Sequence, residues 1–225
     1  AAMTHDQVRE VNALVHVENE LIDEACGRVL TRVAERGWAA DTDVIFTTDH
    51  GELQGDFGLL FKGAYHCDAL MRIPMVWRPA PSAGVLATDV APTVVTDPVG
   101  QLDLAPTFCA IAGIAVPDWM EGTPLPVADG SGRERVITEW DSQFDDVDMH
   151  LRSLYRDGWC ATVYEPGGLY DGTEGELYDL TDDPRQWHNR WDDPGCARLR
   201  ADLVADLADH LPPPRSKRLA VEAPA

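Results

Sequence analysis

Thr48-Asp49-His50-Gly51-Glu52 sets a carboxylate beside an imidazole at the end of a short apolar run. Asp49 can supply a hard oxygen and neutral His50 a nitrogen to one divalent cation. Thirteen residues after Asp49, within a glycine-rich stretch holding Gly51, Gly55, Gly58 and Gly63, stands Lys62. A glycine-rich return of that length can bring an ammonium back over the cation, where it would neutralise a bound oxyanion or the charge growing on a leaving oxygen. Lys62 and Lys217 are the only lysines in a chain that otherwise uses arginine, so a compact ammonium is a specific choice here. His66 follows four residues later, with an ordinary pKa range suited to proton donation, and is the second catalytic candidate. Taken singly, an Asp-His pair reads as an Asx turn and a lysine as a solvated charge. Their combination, with Arg72-Ile73-Pro74 entering a further strand, points to chemistry.

The elements that must hold these side chains can be read around them. Residues 5 to 36 form one amphipathic helix, with Val8, Val11, Val15, Ile22, Cys26, Val29, Leu30 and Val33 at three- and four-residue intervals and Gly37 at the C-cap. Val44-Ile45-Phe46-Thr47-Thr48 reads as a strand buried on both faces, as in a parallel sheet. Ligands of open α/β sheets bind where such strands end. A second apolar run covers Ile73 to Trp77. Residues 80 to 100 read as a surface excursion with a short strand near Val94-Val95, and Asp103 opens a helix through Ala112, closed by Gly113. After the turn-rich stretch 117 to 133, antiparallel strands are expected at Val136 to Thr138, Leu151 to Tyr155, Trp159 to Tyr164 and Glu176 to Leu180, then a helix from Cys196 to Leu211. The predicted organisation is an α/β portion over 1–133, a small antiparallel β subdomain with a terminal helix over 134–214, and a tail over 215–225.

Composition narrows the partners. The 225 residues carry 39 acidic against 18 Lys and Arg side chains, a formal net charge of −21, which repels nucleic-acid phosphates. No apolar stretch approaches the ~20 residues of a membrane span, so neither nucleic acid nor membrane is an expected partner. Five scattered cysteines without zinc spacing read as thiols of a reducing compartment, which makes a cytoplasmic setting the expectation.

Thr47-Thr48-Asp49-His50-Gly51-Glu52 with Gly55-Asp56, Gly58-Leu59 and Lys62-Gly63 resembles the second signature block of the sulfatases, within the alkaline phosphatase superfamily. Ile22-Asp23 to Gly27-Arg28-Val29-Leu30 resembles the family's helix that precedes that strand, Asp103 to Thr107 with Ala112 to Ile114 and Gly122 its later helix, and Glu176 to Leu180 with Asp183-Pro184 and Asn189 its C-terminal hairpin and turn, all in the family's order. The resemblance implies an α/β fold, here part of an alkaline-phosphatase-like mixed sheet flanked by helices and followed by the antiparallel subdomain. It implies a metal-dependent hydrolase of sulfate esters, with phosphonate monoesters or phosphodiesters as the alternative substrates of relatives. One divalent cation (calcium, manganese or magnesium) would be held by Asp49 and His50, and Lys62 would contact the sulfuryl oxygens or the leaving group. Many sulfatases have Asn where His50 stands, and the His form resembles phosphonate monoester hydrolases and some alkylsulfatases. Phe57 stands where a histidine is common.

None of Cys26, Cys67, Cys109, Cys160 or Cys196 lies in the Cys/Ser-x-Pro-x-Arg context that sulfatases convert to formylglycine. The resemblance begins only in the family's second half, so this chain reads as the C-terminal portion of a sulfatase-like enzyme, the formylglycine being expected in a preceding half. The expected partners are a small sulfate or phosphonate ester, that preceding half, or a second copy. A non-catalytic sulfatase-like module is the rival from another class. Glu52 and Asp56 read as loop-forming, Arg72 as a pin for the loop, Asp23 and Glu24 as a solvated helix face, the segment 141 to 148 as a solvated loop, and His150, His188 and Trp140, Trp159, Trp187 and Trp191 as packing of the β subdomain.

Overall fold

The computed structural model describes residues 3–82, 94–127, 130, 132–144 and 147–213. Helix α1 runs His5–Glu35. Thr4 caps it through Gln7: the Gln7 amide donates to Thr4 Oγ1 at 3.3 Å, and Thr4 N–H donates to Gln7 Oε1 at 2.9 Å. Gly37, at φ 73°, ends it, and its N–H bonds back to Ala34 O at 2.9 Å. The helix is amphipathic as predicted, yet none of its residues is buried; Leu14, Leu21 and Val29 are exposed.

Strand β1, Val44–Thr47, pairs antiparallel with β4, Met75–Arg78, from Val44↔Arg78 to Thr47↔Met75. This corrects the reading of a strand buried on both faces of a parallel sheet. Phe46 is 48% exposed and its cross-strand partner Val76 60%, because β4 is the only described neighbour of β1 and no described element covers that face. Between them lies a short hairpin, β2 Leu53–Gln54 with β3 Leu60–Phe61, and then helix α2, Asp68–Met71. Leu53, Cys67 and Leu70 form the small core beneath that hairpin.

A tight turn, Gln101–Asp103, leads into α3, Leu104–Ile111. Buried Asp103 accepts from Gly100 N–H at 2.8 Å, from Thr123 N–H at 2.9 Å and from Arg133. No strand forms at Val94-Val95, where Val94 is exposed; the rest of the expected excursion, 83–93, and the tail 215–225 lie outside the described residues.

The remaining chain is a four-stranded antiparallel meander, β5 Arg135–Phe144, β6 Val147–Arg156, β7 Trp159–Glu165 and β8 Gly175–Asp179, in that order. Asp157 and Gly158, at φ 52° and 80°, make the two-residue turn between β6 and β7, the left-handed pair that matches strand twist. Helix α4, Ala197–His210, lays Leu203 and Leu207 onto Leu154, Ala161 and Leu177, and this is the main core. Each of those leucines contributes ~1.5–3 kcal/mol by leaving water. Among the described residues no helix is long and apolar enough to cross a membrane.

Candidate active site

Strand β1 ends at Thr47, and the chain then turns through the acid and the imidazole. Thr48 Oγ1 donates to Asp49 Oδ1 at 3.1 Å and the His50 amide donates to the same oxygen at 3.0 Å. The Thr48 hydroxyl leads in holding the Asp49 carboxyl below its ordinary pKa, so this exposed group is ionised at neutral pH. Gln101 Nε2 donates to the carbonyls of Thr48 and Asp49 at 2.7 and 2.6 Å, clamping the turn from 52 residues away.

His50 Nδ1 lies 2.8 Å from Gly51 O. A carbonyl only accepts, so Nδ1 carries a proton that it donates there, and in that neutral tautomer Nε2 presents its lone pair. Lys62 Nζ stands 3.0 Å from that Nε2, and Asp49 Oδ2 lies 3.2 Å from it. An ammonium can only donate, so its contact with Nε2 uses that lone pair. The structure thus brings Asp49, His50 and Lys62 to one spot at the end of β1.

The glycine loop makes this return. The Gly51 N–H bonds Leu70 O at 2.8 Å, and a Cβ on Gly51 would stand 1.9 Å from Ala69 O, so only glycine allows the turn to lie against α2. Gly55, at φ 112°, sits at the start of the turn between β2 and β3 and presses on Val8 of α1. Asp56 forms the loop as expected, its Oδ2 accepting from Gln54 N–H at 3.1 Å.

His66 is not drawn into this group. It is 3% exposed and packs toward the antiparallel sheet, its Nδ1 2.7 Å from Ser153 Oγ, which bonds Thr162 Oγ1 at 2.7 Å. Burial, with the Arg152 charge adding to it, lowers its pKa to about 4, so at neutral pH the ring is uncharged. The expected proton donor therefore stands as a neutral, buried link between the lysine-bearing segment and β6. Arg72 is exposed, its nearest carboxylate, Asp68, 3.9 Å away, so it pins little. Trp187, expected to pack, is 71% exposed, whereas Trp159 and Trp191 do pack on the main core.

As a cation site the donor set fits in kind. An ionised carboxylate stands beside an imidazole whose other nitrogen is held by a backbone carbonyl, the usual orienting arrangement for a ligating histidine. It is incomplete in number: among the described residues no three His, Cys, Asp or Glu side chains are grouped to hold an ion. Sequence reasoning passed over Gln101, which carries no motif and declares itself only through its contacts.

The mixed α/β architecture, with its antiparallel sheets and C-terminal helix, is that of the alkaline phosphatase-like fold. Residues 55–211 match the family described as N-sulphoglucosamine sulphohydrolase, C-terminal, and the chain belongs to that sulfatase family. It is 30% identical over 196 residues to the uncharacterized sulfatase YidJ of Escherichia coli, covering 86% of this chain and 36% of that protein. Against the choline-sulfatase of Rhizobium meliloti it is 26% identical, covering 81% and 35%. The chain thus spans little more than a third of these relatives' length. The solved 2-O GAG sulfatase BT1596 shares the fold at TM-score 0.77 and 23% identity, over 93% of this chain and 44% of that one. The phosphonate monoester hydrolase of Agrobacterium radiobacter does so at TM-score 0.67 and 23% identity, over 84% and 38%.

Proposed function

We propose that this chain is the portion of a metal-dependent sulfate ester hydrolase that holds one side of the cation and the leaving-group cation Lys62, with the nucleophile supplied from outside these residues. The observation that carries the reading is the meeting of Asp49 Oδ2, His50 Nε2 and Lys62 Nζ at the end of β1. Asp49 and His50 would hold a divalent ion, which when bound polarises the ester oxyanion. The His50 Nε2 lone pair serves one partner at a time, so with that lone pair on a cation the Lys62 ammonium would be left to face the substrate. Lys62 then donates to the oxygen that takes up charge as the S–O bond breaks. Asp49, ionised and clamped by Thr48 and Gln101, needs no reorganisation to bind.

A phosphonate monoester is the second substrate reading. His50, where many sulfatases carry Asn, and the fold shared with the phosphonate monoester hydrolase support it. The test is hydrolysis of 4-nitrophenyl sulfate and of a phenyl phosphonate monoester by the protein in its full-length setting, with and without manganese. The expected result is manganese-dependent turnover of the sulfate, lowered about 10²–10³-fold in kcat by Lys62→Ala. Turnover unchanged by Lys62→Ala, or unaffected by chelation, would refute the assignment; faster phosphonate turnover would select the second substrate.

A further inference from the structure

Gln101 reaches the turn after β1 from another part of the fold, and it does so with one atom. Its Nε2 donates to Thr48 O at 2.7 Å and to Asp49 O at 2.6 Å. Both acceptors are carbonyls, so the NH2 end of the amide must face them, and both of its hydrogens are used. In an extended strand successive carbonyls point to opposite sides, where no single nitrogen can bond both. The pair of bonds is therefore open only to a chain that has left the strand, and the chain does bend at Asp49. Gln101 thus favours the conformation that carries Asp49 and His50 off the end of β1.

An exposed glutamine holds a turn only as firmly as its own backbone is held. Here the turn Gln101–Asp103 is closed on itself. Asp103 N–H donates to Gly100 O at 3.0 Å, and Gly100 N–H donates to Asp103 Oδ2 at 2.8 Å. The other oxygen of buried Asp103 accepts from Thr123 N–H at 2.9 Å and from Arg133. Three residues before Gly100, Asp97 Oδ2 accepts from Gly132 N–H at 2.8 Å, so the segment 132–133 grips this stretch at two points. A Cβ on Gly122 would stand 2.1 Å from Leu102 O, which puts residues 122–123 directly against the turn. The glutamine is mounted on a buried, charge-paired carboxylate whose bonds run to three separate segments.

We infer that Gln101 is a positioning residue: anchored through Asp103 and Arg133, it fixes the bend at Thr48-Asp49 and so sets how tightly Asp49 and His50 hold a cation. This deepens the proposed function and rests on its reading of Asp49 and His50 as cation ligands. Gln101 acts through the backbone that carries the ligands, since both of its bonds go to carbonyls.

The first arm of the test needs no metal. Hydrogen–deuterium exchange on the protein in its full-length setting reads the amides of His50 and Gly51, which bond Asp49 Oδ1 and Leu70 O. Gln101→Leu, at an exposed position, should speed exchange there about tenfold, the loss of about one net hydrogen bond, and leave β6 and β7 unchanged. Gln101→Lys, which keeps N–H donors on a side chain of similar reach, should restore most of the protection. Arg133→Gln should speed the same amides in the wild-type background and add nothing in Gln101→Leu. In the second arm, calorimetric titration with manganese should show binding weakened about tenfold in Gln101→Leu, as for other groups that support a metal ligand from behind. Unchanged exchange at His50 and Gly51 in Gln101→Leu, equal effects of Arg133→Gln in both backgrounds, or wild-type manganese affinity in Gln101→Leu would overturn the inference. Absence of manganese binding in the wild type would refute the proposed function, whereas the exchange arm judges Gln101 by itself.

Discussion

At the residue scale, two histidines sixteen positions apart follow opposite logic. His50 donates its Nδ1 proton in a hydrogen bond to Gly51 O, which leaves Nε2 facing outward to Lys62 and Asp49. His66 is sealed inside, and burial holds it neutral. Its folded pKa of about 4 lies below the unfolded 6.5, so the unfolded chain takes up the proton first as pH falls. The neutral contact therefore contributes fully above pH 6.5 and is lost progressively down to about pH 4, a swing of about 3 kcal/mol. Burial raises the pKa of Glu176, which works in the opposite direction, so the difference between two proteins is the clean measurement. Urea unfolding of wild type and His66→Gln from pH 7.5 to 4 should show a shallower fall in the variant; parallel curves would contradict the assignment. Asp49, His50 and Lys62 were legible because their types and spacing lie within one local loop. The burial of His66 was not, since it depends on Ser153, 87 residues later, and Gln101 was invisible for the same reason.

At the element scale, α1 was readable from apolar periodicity closed by Gly37 and α3 from its Asp103 start and Gly113, the two glycines taking φ 73° and 67°. The four strands of the meander were expected in the right places, and pairing extends the first two well beyond the expected ranges. What failed was the environment of β1: five apolar or β-branched residues in a row look the same whether or not both faces are covered. The contact of α4 with β5 and β6 rests on more than leucines. Asp206, its side chain 8% exposed, bonds Arg135 Nε at 2.9 Å and also Arg156, while Asp202 takes the other Arg156 nitrogen. Burial pushes the Asp206 carboxyl pKa up, but the Arg156 and Arg135 bonds outweigh it and hold it below its ordinary value. Asp206→Asn leaves two half-buried guanidinium groups short of a charged acceptor and should cost about 2–3 kcal/mol. A shift in urea midpoint corresponding to less than about 0.5 kcal/mol would show that the network is merely superficial.

At the scale of the whole molecule, apolar cover is uneven. The meander closes on α4, while Phe46 and Val76 on the β1–β4 pair, with Leu14, Leu21 and Val29 of α1, leave apolar surface exposed. Such surface favours association, and the net charge of −21 opposes it. Salt shortens the reach of that repulsion to about 10 Å at 0.1 M and about 3 Å at 1 M. We expect the isolated chain to self-associate more strongly at 0.5 M than at about 0.05 M NaCl by sedimentation velocity, and Phe46→Ser to weaken this. A 24.7 kDa monomer at both salts would show that this face needs no partner.

The meeting of carboxylate, imidazole and ammonium at the end of β1 is most directly tested by manganese-induced relaxation in NMR. Signals of Asp49, His50 and Lys62 should broaden first, and Asp49→Asn should remove the effect. Broadening centred instead on His150, which sits between Asp141 at 2.7 Å and Asp148 at 3.1 Å, would place the cation elsewhere and contradict the account.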